Sequence, residues 1–139
     1  MTACTSTSQP DNSPFPEVKT PYSAEKAEKN GDVVNIFDKL MNIEKWDNFI
    51  SNVNKKVSDQ VRITQYTIEG DPIFYELVYD GDNIKFTYDN SLDSFGHDLN
   101  RPSASCKKFG AKRSEDGQKY YSLTECDNDN GNYFYFPKK

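Results

Sequence analysis

The chain has 139 residues, 17 of them basic and 22 acidic, for a net charge of −5 at neutral pH. No basic stripe offsets this acidic balance, which argues against nucleic-acid binding. No apolar run approaches the ~18 residues needed to span a bilayer. Nine Tyr and nine Phe set against a mean hydropathy of −0.89 point to one small, strand-rich core inside polar loops.

Taken in chain order, the first informative residues are Thr2-Ala3-Cys4. They look like the end of a bacterial lipoprotein signal, in which small residues precede a cysteine that becomes the lipidated N-terminus. The basic and apolar regions of such a signal would lie upstream. Residues 5–22 are rich in Ser, Thr, Asn and Pro, with Pro10, Pro14, Pro16 and Pro21 spread through them. Such a segment cannot bury enough apolar surface to fold. Residues 1–21 are therefore expected to be a disordered tether after the lipid, with a reach of roughly 21–25 Å. Residues 22–139 are expected to form a single globular domain. The expected location is extracytoplasmic, held at the cell membrane through Cys4.

Ser23 can cap a helix over 24–29, which Asn30-Gly31 would end. Residues 33–36 read as extended. Asn42 is placed as the N-cap of a helix from 43 to about 55. Its apolar stripe is Ile43, Trp46, Phe49, Ile50 and Val53. From residue 61 the period changes to two, giving strands over 61–69, 73–79 and 84–89. Gly70-Asp71-Pro72 and Asp80-Gly81-Asp82-Asn83 separate them. A turn at Gly81-Asp82 sets Tyr79 opposite Ile84, Leu77 opposite Phe86 and Tyr75 opposite Tyr88. A turn at Asp80-Gly81 shifts the partners by two but keeps the same face. The other face carries Glu76, Lys85, Thr87 and Asp89 with Phe74 and Val78.

Residues 90–105 form the longest polar stretch. Segments 106–112 and 119–126 then make a second hairpin around Glu115-Asp116-Gly117. Counting outward from that loop opposes Phe109 to Leu123 and Cys106 to Cys126. A disulfide between these two cysteines suits an exported protein. It would contribute about 3 kcal/mol in the chain-entropy model. Residues 133–136 read as a last strand. The fold class is α+β: N-terminal helices packed on an antiparallel, mostly meandering sheet of five or six strands. Ile43, Trp46, Ile50 and Val53 would cover the face bearing Tyr75, Leu77, Phe86 and Tyr88.

Chemical motifs are few. There is one histidine, His97, and no Gly-x-Ser-x-Gly elbow, so a nucleophile–histidine site is not expected. Three cysteines and one histidine do not complete a zinc set. The acidic run 125–132 lacks the calcium-loop spacing and reads as an Asx-rich turn. No phosphate loop is present. No catalytic residue, metal or cofactor is therefore expected, although 22 acids leave room for a carboxylate pair. Tyr66, Tyr79, Tyr120, Tyr133 and Tyr135, with His97, are candidates for a peptide- or glycan-binding surface. The competing reading is that these rings fill a core poor in Leu and Ile.

The runs Tyr22-Ser-Ala-Glu-Lys-Ala-Glu-Lys-Asn-Gly-Asp-Val-Val34 and Arg62-Ile-Thr-Gln-Tyr-Thr-Ile-Glu-Gly-Asp-Pro-Ile73, with Tyr79-Asp-Gly and Phe86-Thr-Tyr-Asp-Asn90, resemble a family. It is a group of uncharacterised lipoproteins of Bacillus and relatives, collected under a domain of unknown function. The likeness covers about residues 22 to 126. It implies the Cys4 anchor and an extracytoplasmic site, and it implies no activity. The expected function is a non-catalytic binding module at the cell surface, with cell-wall material or another surface protein as partner. A small envelope enzyme using carboxylates, or an inhibitor or immunity-type protein, are the alternatives.

Overall fold

The computed structural model describes residues 14–37, 39–93 and 101–138. Cys4 and His97 lie outside them, so neither expectation about those residues meets the structure. The described chain runs α1 (Ala24–Lys29), β1 (Val33–Ile36), β2 (Lys39–Met41), α2 (Ile43–Asn54), β3 (Asp59–Tyr66), β4 (Pro72–Tyr79), β5 (Ile84–Asp89), β6 (Ser103–Cys106), β7 (Lys108–Arg113), β8 (Lys119–Thr124), a 3₁₀ turn (Asp129–Tyr133) and β9 (Phe136–Pro137). No helix is long and apolar enough to cross a membrane, among the described residues.

Two sheets result. The large one has the order β2-β1-β3-β4-β5-β6, and the small one β7-β8-β9. From β3 to β6 the large sheet is the expected antiparallel meander. Tyr79 faces Ile84, Leu77 faces Phe86 and Tyr75 faces Tyr88. The β1–β3 pair, however, is parallel. Parallel neighbours need a long crossover, and β2 with α2 supplies it.

The expected helix layer is not what covers the sheet. α2 follows β1 and β2 rather than preceding the sheet, and the two helices serve different cores. Trp46 and Phe49 of α2 join the core of Val33, Ile63, Leu77 and Phe86. Ala27 of α1 packs with Tyr22, Val34 and Phe74 on the other face. Over Tyr75 and Phe86 lies Phe134, at 5.5 Å from each ring. Tyr133 stacks on Tyr88. The physical reason is the aromatic load of the C-terminal third. Those rings build their own sheet and tail, which take the place assigned to α2, and Ile43 is left exposed.

Local details also differ. Ser23 caps α1 as expected, accepting from the Lys26 N–H at 3.2 Å. Asn42 takes the N-cap position of α2 as expected, but its side chain makes no capping hydrogen bond. It adopts a left-handed backbone (φ 59°), which asparagine tolerates, and its amide donates to the Glu28 and Asp32 carbonyls. The β7–β8 hairpin has the expected register, Phe109 to Leu123, and closes through Gly117 at φ 87°. Cys106 ends β6 in the large sheet, while Cys126 follows β8 in the small one. Their disulfide therefore staples one sheet to the other. Gly131 lies against it: a Cβ there would stand 2.5 Å from the Cys126 sulfur. The final strand is shorter than the expected 133–136, because the chain forms a 3₁₀ turn through Tyr133 first.

Candidate functional site

Two places on the molecule gather polar or aromatic groups that simple core packing would not require. The first lies on the outer face of the large sheet. Alternation on β3 sends Val61 and Ile63 inward and Arg62 and Thr64 outward. The β3–β4 register sets Arg62 opposite Glu76. Asp32 enters from the loop before β1. Arg62 Nε sits 3.0 Å from Asp32 Oδ1, and both side chains are 2% exposed. Asp32 Oδ2 accepts from Thr64 at 2.8 Å and from the Tyr22 hydroxyl at 2.6 Å. Arg62 Nη2 donates to Tyr22 at 3.1 Å. The guanidinium lies over the rings of Phe15, Tyr22 and Phe74. Burial, reinforced by the bond to Asp32, pushes the Tyr22 phenol up to about 12. Tyr66 is raised as well, chiefly by burial.

Beside this group a cavity of about 200 Å³ is lined by Arg62, Glu76, Asp89 and Arg101, with Pro16, Val18 and Leu92 among its apolar walls. Arg101 spans the two acids: Nη2 is 2.7 Å from Glu76 and Nε 2.9 Å from Asp89. Desolvation lowers the Arg101 pKa from its ordinary value. Here is the carboxylate pair a hydrolase would require, yet a guanidinium holds both members. Residues 14–21, read from sequence as the end of the tether, meet this face: Pro14 accepts from Gln60, and Pro16, Val18 and Thr20 wall the cavity. The arrangement is a clamp that fixes the N-terminal segment and α1 to the sheet.

The second place lies where the two sheets meet. A pocket of about 410 Å³ is lined by Leu40 of β2, Ile43, Trp46 and Asp47 of α2, Tyr121 of β8, and Phe136 and Pro137 of β9. That size is within the range of small-molecule sites. Trp46 is 2% exposed and packs 4.7 Å from Phe136 and 5.2 Å edge-on from Tyr121. Its indole N–H has no hydrogen-bond acceptor. Among the described residues it shares that condition only with the Ser122 hydroxyl. A buried donor left unpaired costs roughly 1–3 kcal/mol. Asp47, exposed, supplies the one carboxylate of the lining. Lys138 places its ammonium 5.2 Å from the centre of the Tyr121 ring.

The tyrosines singled out by sequence divide among separate environments. Tyr79 is buried in the main core. Tyr66 faces the clamp and donates to the Tyr22 carbonyl. Tyr120 packs on Tyr135, and Tyr133 on Tyr88. The Asx run 125–132 has a structural use: Asp127, Asn128 and Asn130 bond the Ser103 and Ser105 backbone along the outer edge of β6. An edge so occupied cannot pair with another strand. Among the described residues no group of three or more His, Cys, Asp or Glu could hold a metal ion. Sequence reasoning favoured Trp46 as a core anchor, with ligand stacking as the minority reading. The partners that make it a pocket, Tyr121 and Phe136, are too distant in the chain for any periodicity to link them to α2.

A family model described as a domain of unknown function, DUF4362, matches residues 30–121. No curated protein and no solved structure matches the chain.

Proposed function

The chain belongs to the DUF4362 family, and from that premise we propose that it is a non-catalytic binding module, lipid-anchored through Cys4 on the outer side of a cell membrane. The pocket between the sheets carries the binding half of this reading. It offers a wall of aromatic and aliphatic groups with one exposed carboxylate, Asp47, and among the described residues its lining has no serine, cysteine or histidine. Such a surface is suited to holding a ligand rather than transforming one. The carboxylate alternative has Glu76 and Asp89 in the other cavity, where Arg101 binds both.

The disulfide supports the location, since such bonds persist in oxidising compartments. The likeness of residues 22–126 to Bacillus lipoproteins supports the anchor. Cys4→Ser in the full-length precursor tests it. The wild-type protein is expected in the membrane fraction and the variant in the soluble extracytoplasmic fraction. A variant that stays with the membrane sinks the anchor.

A further inference from the structure

We propose that the open edge of β7 takes an extended acidic peptide as a further strand of the small sheet, a binding surface separate from the pocket beside β9. The two sheets have four edges, and three of them are short or covered. β6 is bonded along its outer side by Asp127, Asn128 and Asn130. β2 has three residues and β9 two, the second a proline without an N–H. β7 has six residues and pairs only with β8.

The ladder fixes which backbone groups remain. Ser114 donates to the Gln118 carbonyl at 2.8 Å. Bonded pairs then recur at every second residue: Lys112 with Tyr120, Gly110 with Ser122 and Lys108 with Thr124. The N–H and C=O of Phe109, Ala111 and Arg113 therefore point away from β8. Among the described residues nothing bonds them on that side. Donors and acceptors alternating at strand spacing are what an added strand uses.

Charge selects the occupant. The chain has a net charge of −5, yet β7 holds Lys108, Lys112 and Arg113 and no acid. All three are exposed. Lys108 pairs with Glu125, but Lys112 and Arg113 have no carboxylate partner among the described residues. The register also sets Arg113 directly opposite Lys119, and like charges in that position repel. A carboxylate on the next strand, beside Arg113, offsets that repulsion. A second copy would instead add another Lys108, Lys112 and Arg113 to the same ribbon. Lysines on an open edge discourage a like strand; they attract an acidic one. Phe109, half-buried against Trp46 and Phe49, calls for an apolar residue opposite it.

The experiment titrates the whole protein with acetyl-Glu-Glu-Thr-Thr-Val-Thr amide and follows backbone amide shifts by NMR. One parallel probe has Lys in place of both Glu. The other is the acidic peptide N-methylated at the residues facing Phe109, Ala111 and Arg113. The expected result is a saturable response to the unmodified acidic peptide only, larger at Phe109, Ala111 and Arg113 than at Gly110 and Lys112, and weaker in high salt. Lys112→Glu should weaken it about fivefold. Ala111→Pro should abolish it, since that N–H faces away from β8 and its loss leaves the ladder whole. Far-ultraviolet circular dichroism checks that both variants fold. Equal binding of the N-methylated peptide would reduce the surface to charge alone and overturn strand addition. Equal binding of the lysine peptide would overturn the charge selection. A dimer in sedimentation that Ala111→Pro dissolves would assign the edge to a second copy and overturn the peptide. A flat titration with all three would overturn the edge as a site, while membrane release of Cys4→Ser separately decides the anchored-module reading.

Discussion

The two faces of the large sheet are closed by opposite chemistry. On the inner face, Val61, Ile63, Leu77 and Phe86 meet α2, Phe134 and the small sheet, and the layer is held by rings. On the outer face, Arg62 and Thr64 of β3 and Glu76 of β4 meet Asp32, Tyr22 and Arg101, and charge-assisted hydrogen bonds hold the layer beside a smaller apolar cluster of Tyr22, Ala27, Val34 and Phe74. Apolar packing is non-directional and tolerates many arrangements. A buried ion pair adds little net stability, yet it accepts very few geometries. The inner face therefore supplies the driving force for folding, and the outer face fixes where the N-terminal segment and α1 attach. At the junction of the sheets the inner side leaves a pocket lined by Trp46, Tyr121 and Phe136, and there the candidate site forms.

The strongest way to break this contrast is to strand a charge. Asp32→Ala leaves Arg62 buried with Glu76, at 4.0 Å, as its remaining carboxylate among the described residues, and a loss of about 3–5 kcal/mol is expected in urea unfolding. Adding Arg62→Met should return most of it, since the unpaired charge is then gone. On the inner face Phe86→Ala costs a similar amount, about 3–5 kcal/mol, through the cavity it leaves. A second truncation beside it only enlarges that loss. If the double variant on the outer face proves no better than Asp32→Ala, the charged layer contributes by packing, and the contrast between the faces fails.

The next effect separates the sheets. The Cys106–Cys126 bond spans 20 residues of sequence, and its removal by Cys106→Ala with Cys126→Ala should cost about 3 kcal/mol. Because it joins β6 to the segment after β8, the loss should appear locally. Amide exchange is expected to speed up first in β7, β8 and β9, with the β1–β3–β4 ladder and the clamp retaining their protection. Uniform acceleration through both sheets would show that they unfold as one unit.

The legible parts of the sequence were those with a short period. The strands β4 and β5, their register and the Glu115-Asp116-Gly117 turn follow from alternation and from residues that tolerate a left-handed backbone. α1 follows from Ser23 and Asn30-Gly31. What escaped was whatever depends on distant segments. Arg62 inside an apolar strand was a visible anomaly, but its partner Asp32 lies 30 residues away and across a parallel pairing that periodicity does not announce. β2 is three residues long, too short for alternation to register. The split into two sheets follows from the break between Cys106 and Lys108, where the backbone leaves one ladder for another. The pocket assembles α2, β8 and β9, so its existence is a property of the packing and not of any one motif.

The smallest effect is also the sharpest comparison of the faces, because one residue type reports on both. Tyr22 on the outer face and Tyr75 on the inner face are each pushed up to about 12 from an ordinary value of 10.0. Burial is the first cause in both. Tyr22 is raised further by its bond to Asp32, and Tyr75 by the neighbouring Tyr88. A phenol whose folded pKa is raised adds stability that is complete below pH 10. That stability is lost as the pH rises through about 12, since the unfolded chain releases the proton first. Stability should therefore fall across this window in the wild type. Asp32→Asn removes the carboxylate that opposes ionisation of Tyr22 and leaves Arg62, which favours it. The Tyr22 titration should then move down towards 10, with Tyr75 unmoved, when ring carbon shifts are followed by NMR below the unfolding pH. If both phenols move together, Asp32 acts on the whole sheet, and the two faces are not the independent layers their chemistry implies.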